Sequence, residues 1–262
     1  MSEPDASPQA QFSLATEALA GRVLGALTGT QGPLPPTGPP AAGAPGDVKA
    51  YLAAVRVLGP DLYAPALLRG TPPDPADTEA VTEAFRVFPP SPADPPETVR
   101  RDRATARLHL GLGGEPLPVP LAPTAAEPGL RPAAGHALPP WRAWSAHLAP
   151  LSALALPGAD DTLQAEATRH SRALALGTTR ALLRRDHPTA ARLARWLALT
   201  ERRGAVPALD TEAVLTHIDL FGGGSVRARL DTAVARLLLV TAPRHRRPDD
   251  TGAAGHQERP PA

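Results

Sequence analysis

The sequence predicts a mainly α-helical protein with one minor β-hairpin, built as two small modules that are joined by Pro/Gly-rich linkers. Three observations favour this fold class. Apolar residues recur at three- and four-residue steps over much of the chain, which is the period of an amphipathic helix. The 262 residues include 34 Pro and 22 Gly, which cluster between the periodic segments. The two halves of the chain also carry opposite net charges.

The charge asymmetry predicts modules with different partners. Residues 1–100 have six basic and eleven acidic side chains, whereas residues 160–247 have fifteen arginines and nine acidic side chains. Their net charges are therefore −5 and +6. Arginine supplies 26 of the 27 basic residues, and Ala, Pro, Gly and Arg all have GC-rich codons. Arginine abundance is thus explained by genome composition and does not by itself indicate nucleic-acid binding.

The N-terminal segment is predicted to contain one helix, preceded by a disordered stretch and followed by a linker. Residues 1–9 are expected to be disordered, and residues 10–28 carry an apolar face at helical spacing that includes Leu19 and Val23. This face packs either on the body of the protein or on a second copy, which would give a homodimer. Residues 29–46 hold six Pro and five Gly and are predicted to be a linker.

Residues 47–121 form the predicted acidic module. Asp47 is placed to cap a helix over 48–58, and a second helix is expected to start at Asp77 or Thr78. The double proline that begins at Pro89 should end that second helix. This module offers a second surface for self-association or partner contact.

A β-hairpin is predicted at the end of the acidic module. Residues 106–112 alternate between leucine and other residues, Gly113 and Gly114 suit a turn, and 117–121 continue the two-residue period. The prolines in the second strand confine it to a sheet edge. Helices followed by a hairpin are the element order of a winged-helix module.

Residues 141–242 form the predicted basic module, which follows a Pro-rich loop over 122–140 and precedes a disordered tail over 243–262. Helices are expected from Trp141, from Asp160 to about Arg185, and from Pro188 to about Arg203. Two more helices should begin near Asp210 and Ser225, which are good N-cap residues.

Residues 189–240 have the element order of a helix-turn-helix unit, in which the last helix lies in the DNA major groove. On a helical wheel the polar residues of the last helix gather on a different side from Val226, Leu230 and Leu237, about 240–300° round from Val226. The predicted DNA contacts are Ser225, Arg229, Thr232 and Arg236 on this helix, with Arg192, Arg195, Arg202 and Arg203 on the earlier one. Asp231 lies near this face and would repel phosphate.

Two functions are therefore carried forward. The first is binding of double-stranded DNA, as a regulator, a repair accessory or a replication-initiation protein. The alternative is a non-enzymatic helical interaction or scaffold protein that does not bind nucleic acid, in which the arginines form an ordinary solvated surface. An exposed arginine face with no acidic residue inside it would favour DNA, and an exposed apolar stripe would favour the scaffold.

The sequence offers little that indicates catalysis. It has no cysteine, no H-E-x-x-H pair, no phosphate-binding loop motif and no G-x-S-x-G elbow. No cofactor and no metal are therefore expected, and an enzyme with a dispersed site is left as a third interpretation. The acidic start and the absence of a long apolar run predict a soluble, cytoplasmic protein with no membrane partner.

Overall fold

The computed structural model describes residues 7–29, 45–121, 140–222 and 224–240. Within these ranges the chain is mainly helical and has no β-strand. The α-helices are α1 (Pro8–Thr28), α2 (Pro45–Leu58), α3 (Ala64–Arg69), α4 (Pro75–Val87), α5 (Pro96–Gly111), α6 (Trp141–Leu148), α7 (Asp161–Arg169), α8 (Ser171–Leu183), α9 (His187–Arg202), α10 (Thr211–Phe221) and α11 (Val226–Val240). Two short 3-10 helices are η1 (Gly59–Tyr63) and η2 (Ala149–Leu154).

Aspartate N-caps begin three helices of the C-terminal half at the predicted places. Asp160 accepts a hydrogen bond from the amide of Leu163 at 3.0 Å, and Asp210 does the same for Ala213 at 3.0 Å. Asp186 caps α9, which begins at His187, one residue before the predicted start at Pro188. Each carboxylate satisfies a backbone amide that has no partner inside the helix. These helix starts are confirmed.

Other helix ends differ from the prediction. Residues 7–9 are the cap and first turn of α1, so the predicted disorder over 1–9 is wrong for these three residues. Helix α4 begins at Pro75 and is capped by Asp74, ahead of the predicted start. The helix predicted from Asp160 to about Arg185 is divided at His170 into α7 and α8.

The predicted β-hairpin is wrong. Residues 106–111 belong to α5, and 117–121 form neither helix nor strand. The buried side of α5 is largely polar, since Asp102 and His109 are both about 1% exposed. The apolar residues of this segment therefore do not recur at helical spacing. The prolines between 116 and 120 also remove the amide donors that a second strand would need. A winged-helix module requires such a hairpin and is therefore not supported.

The predicted two modules share a single hydrophobic core. Helix α9 is its central element and packs against α7, α8, α10, α11 and η2. Buried residues from both segments belong to this core, including Phe85 of α4 and Trp196 of α9. Most of the predicted linkers, 29–46 and 122–140, and the tail, 243–262, lie outside the described residues.

The apolar face of α1 packs against the body of its own chain. Leu19, Val23 and Leu27 are buried, and α1 contacts α2 and α11 most extensively. The backbone amide of Val226, at the start of α11, donates to Glu17 at 3.1 Å. This packing agrees with the interpretation in which residues 10–28 dock on the body of their own chain, rather than on a second copy.

Candidate nucleic-acid interface

The predicted recognition helix, α11, exposes only part of its polar face. Helices α9, α10 and α11 follow one another as predicted, but α11 packs extensively against both α9 and α1. Ser225 and Arg229 are exposed at its N-terminal end. Thr232 is buried, and its hydroxyl donates to the carbonyl oxygen of Arg229 at 3.0 Å. The accessible part of the predicted face is therefore one helical turn.

Arg236 is engaged by two carboxylates of α10. Its Nε lies 3.3 Å from Glu212 Oε1, and its Nη1 lies 2.7 Å from Asp219 Oδ2. Burial lowers the pKa of Arg236, but these two carboxylates outweigh it and raise the pKa above its ordinary value. A phosphate at this position would have to displace or approach both acidic groups.

A pocket of about 320 Å³ runs beside this part of α11. Its walls come from the end of α1, the end of α10 and the exposed turn of α11, and include Leu24, Thr28, Ile218, Asp219, Arg229 and Arg236. The pocket thus mixes two arginines with an aspartate and apolar side chains, and it is not a purely basic groove.

Arg195 is not a DNA contact, because it is fully buried. Its Nη2 lies 2.6 Å from Asp61 Oδ1 and its Nη1 lies 3.1 Å from Asp231 Oδ1. Burial alone would lower the pKa of Arg195, but the two carboxylates raise it, so the guanidinium stays charged. Asp231 is accordingly the counter-ion of Arg195, and the charge repulsion expected at the α11 face does not arise.

The other arginines predicted on the earlier helix differ in accessibility, and Arg203, the C-cap of α9, is the exposed one. Arg192 and Arg202 are half-buried. The Nη1 of Arg203 contacts Gln164 Oε1 at 3.1 Å and Asp161 Oδ1 at 3.5 Å, both on α7. The eight predicted residues therefore do not converge on one surface.

A more uniform basic surface lies on α8, within the segment from Asp160 to about Arg185 for which the sequence predicts only a helix. We call the exposed side of this helix the α8 face and define it as Arg172, Leu176, Thr179, Arg180, Leu183 and Arg184. The opposite side of α8 packs on α6 and α9. The contact with α6 is close, because a Cβ on Gly177 would lie 2.3 Å from the Cβ of Ser145.

The arginines of this surface have no acidic partner among the residues that the structure describes. In the described ranges, Arg172, Arg180, Arg184 and the adjoining Arg185 form no ion pair. No Asp or Glu occurs between 167 and 185.

The flanking carboxylates are engaged elsewhere. Asp186 caps α9, and Glu166 of α7 lies close enough to interact with Arg100 and Arg169. The distinguishing signal was therefore available in the sequence as a 19-residue stretch with five arginines and no acidic residue.

A second polar cluster is buried and belongs to the core. The hydroxyl of Tyr63 and Nδ1 of His109 are 2.6 Å apart, and Thr82 Oγ1 is 3.5 Å from Nε2 of the same histidine. Burial lowers the pKa of His109 and raises that of Tyr63, so both groups are neutral at pH 7. Because both rings are about 1–2% exposed, this cluster stabilises the packing of α5 on η1 and offers no substrate access.

Comparisons with protein-family models, with curated proteins and with solved structures found no match to this chain. Among the described residues, no three His, Asp or Glu side chains gather as a metal-binding group. No helix in those same ranges combines the length and the apolar character needed to cross a bilayer.

Proposed function

We propose that this protein binds double-stranded DNA through the α8 face. The observation that supports this proposal is the row of arginines on α8 and its C-terminal cap, none of which is paired with a carboxylate in the described part of the chain. Guanidinium groups form bidentate, charge-assisted hydrogen bonds with phosphate oxygens. Arginines that have no carboxylate partner among the described residues can form these bonds without first breaking an ion pair to any of them.

The spacing along α8 suits contact with phosphates on both sides of a groove. Arg172 and Arg184 are twelve residues apart, which corresponds to about 18 Å along a helix axis. Arg180 lies between them, about 6 Å from Arg184. This reach exceeds the ~12 Å width of the major groove and the ~6 Å width of the minor groove.

The α11 turn with Ser225 and Arg229 is kept in the proposal as a second contact, because both side chains are exposed. Thr232, Arg195 and Arg236 are left out for the reasons of burial and pairing given above. A cytoplasmic location is part of the same proposal. The regulator, repair and replication-initiation roles are all compatible with phosphate binding.

The interaction-protein alternative has its own supporting observation. Leu220 and Phe221, at the end of α10, are 72% and 67% exposed. Adjacent large apolar side chains at a surface are typical of protein–protein contacts. In this second proposal the end of α10 is the docking site, and the α8 face is a solvated surface.

Single arginine-to-alanine variants test the DNA proposal. We expect Arg180→Ala and Arg184→Ala each to weaken binding to random duplex DNA and to lower the slope of log K against log salt by about one, since each removes one phosphate contact. Fluorescence anisotropy of a labelled duplex at several salt concentrations measures both quantities. The full chain is used throughout.

Arg86→Ala is the matched control, because Arg86 is exposed on α4 and pairs with Glu83, so the same charge is removed away from α8. This variant should bind like the unmodified protein. Arg229→Ala tests the α11 contact separately. If the α8 variants bind as tightly as the unmodified protein while Arg229→Ala does not, the interface lies on α11. If all variants bind equally, the arginines do not contact DNA.

A further inference from the structure

Two exposed leucines interrupt the basic surface of α8. Leu176 is 45% exposed and Leu183 is 81% exposed. They are seven residues apart, so they project within about 20° of each other and are separated by about 10.5 Å along the axis. Arg172, Arg180 and Arg184 flank them. The centre of the α8 face is therefore apolar and its margins are cationic.

The helix that carries these leucines is fixed by its packing. Leu174 and Ala181 are buried on its opposite side, and Gly177 allows α8 to approach Ser145 of α6 closely. The hydroxyls of Thr178 and Thr179 donate to carbonyl oxygens one turn earlier, at 2.9 Å each. The two leucines thus stand on a rigid base and do not need to be ordered when a ligand binds.

Apolar side chains among phosphate-binding arginines have a known use in DNA recognition. Leucine and other apolar residues can enter between base pairs from the minor groove, unstack a step and bend the duplex, while neighbouring arginines bind the backbone and the groove. Burial between bases removes the leucine side chain from water, which a contact with phosphates would not do. The ~10.5 Å separation also equals about three base-pair rises of 3.4 Å.

We propose that Leu183, assisted by Leu176, wedges into the DNA minor groove, so that binding through the α8 face bends the duplex. This inference rests on the proposed DNA-binding function. Insertion of the leucines would also make binding depend on DNA sequence without any hydrogen bond to a base edge. Pyrimidine–purine steps such as TA unstack most easily, whereas A-tracts are stiff. The protein should therefore prefer flexible steps.

The test uses two short duplexes with dyes at both ends, one with a central TA step and one with a central A-tract. The full chain should increase energy transfer between the dyes of the TA duplex, because bending brings its ends together, and should bind it roughly tenfold more tightly than the A-tract duplex. The Leu176→Ala/Leu183→Ala double variant should still bind with the same salt slope, but without bending and without the preference. Leu14→Ala is the control, since Leu14 is 67% exposed on α1, and it should behave like the unmodified protein.

The outcomes separate this inference from the function on which it rests. Binding with a normal salt slope but no bending, or bending that the double leucine variant retains, would overturn the wedge and leave DNA binding intact. Failure to bind either duplex would overturn both proposals. A third outcome is that the protein binds phosphatidylserine vesicles and not DNA, and that the double leucine variant loses this binding. That result would assign the α8 face to an anionic membrane surface and contradict the inference.

Discussion

Replacing Trp196 with alanine is expected to lower the free energy of unfolding by about 3–5 kcal/mol. The side chain is fully buried in α9, the central helix of the core. Its Nε1 also donates to the carbonyl oxygen of Leu148 at 2.9 Å. The substitution therefore leaves a large cavity and removes the hydrogen-bond donor of a buried carbonyl. Urea unfolding followed by far-ultraviolet circular dichroism measures the change.

Trp141→Ala provides the comparison, because Trp141 is only half-buried, at the start of α6. It removes the same side chain and should cost clearly less. A loss below about 1 kcal/mol for Trp196→Ala would mean that this residue does not occupy the core. The central position assigned to α9 would then be incorrect.

Replacing Arg195 with alanine is expected to cost a similar amount, about 3–5 kcal/mol. The variant would leave Asp61 and Asp231 buried without the guanidinium that neutralises them. Arg192→Ala, one turn earlier on the same helix, is the matched control, because Arg192 is half-buried and forms no ion pair with the described residues. The control should change stability by about 0.5 kcal/mol or less.

The stability deficit of Arg195→Ala should depend on pH in a defined direction. Burial raises the pKa of Asp231, and removing Arg195 removes an opposing influence that lowers it. A folded-state pKa above the unfolded value means that folding takes up a proton, so stability increases as pH falls through the folded-state pKa towards the unfolded one. The difference from the unmodified protein should therefore shrink as pH falls below 7 towards the unfolded pKa of an aspartate, about 4. A deficit that is small, or constant over this range, would contradict the buried triad.

Local chemistry explains which parts of the fold could be predicted. Helix starts at Asp160, Asp186 and Asp210 depend on a side chain and an amide within three residues of each other, so the sequence displays them directly. The stop at Gly204 is equally local, because its φ of 90° lies in the left-handed region that glycine adopts at helix ends.

Long-range pairing explains the two main errors. Asp102 in α5 is buried against Arg56, and His109 against Tyr63, and both partners are 46 residues earlier in the chain. Nothing near α5 in the sequence shows that its polar residues face inward. The alternation of leucines over 106–112 is consequently the stronger pattern in the sequence, and it predicts a β-hairpin where the structure has a helix.

The candidate site was misplaced for the same reason. Arg195 has the sequence context of a surface arginine, but its counter-ions Asp61 and Asp231 come from η1 and α11. Arg236 is likewise paired with Glu212 and Asp219 from another helix. A helical wheel shows which side chains share a face but not which charges the fold brings to it. At α8 the described part of the chain brings no carboxylate to the arginines, so there the acid-free stretch of sequence correctly indicates an exposed basic surface.

The most direct test of the DNA-binding proposal is the salt dependence of binding by the unmodified full chain to random duplex DNA. Contacts from Arg172, Arg180, Arg184 and the adjoining Arg185, which form no ion pair with the described residues, should give a linear fall of log K with log salt, with a slope of about −3.6, to which a contact from Arg229 would add about −0.9. The expected dissociation constant is micromolar at about 50 mM salt, as for non-specific phosphate binding. No detectable binding at about 50 mM salt and micromolar protein, or binding that does not respond to salt, would contradict the account.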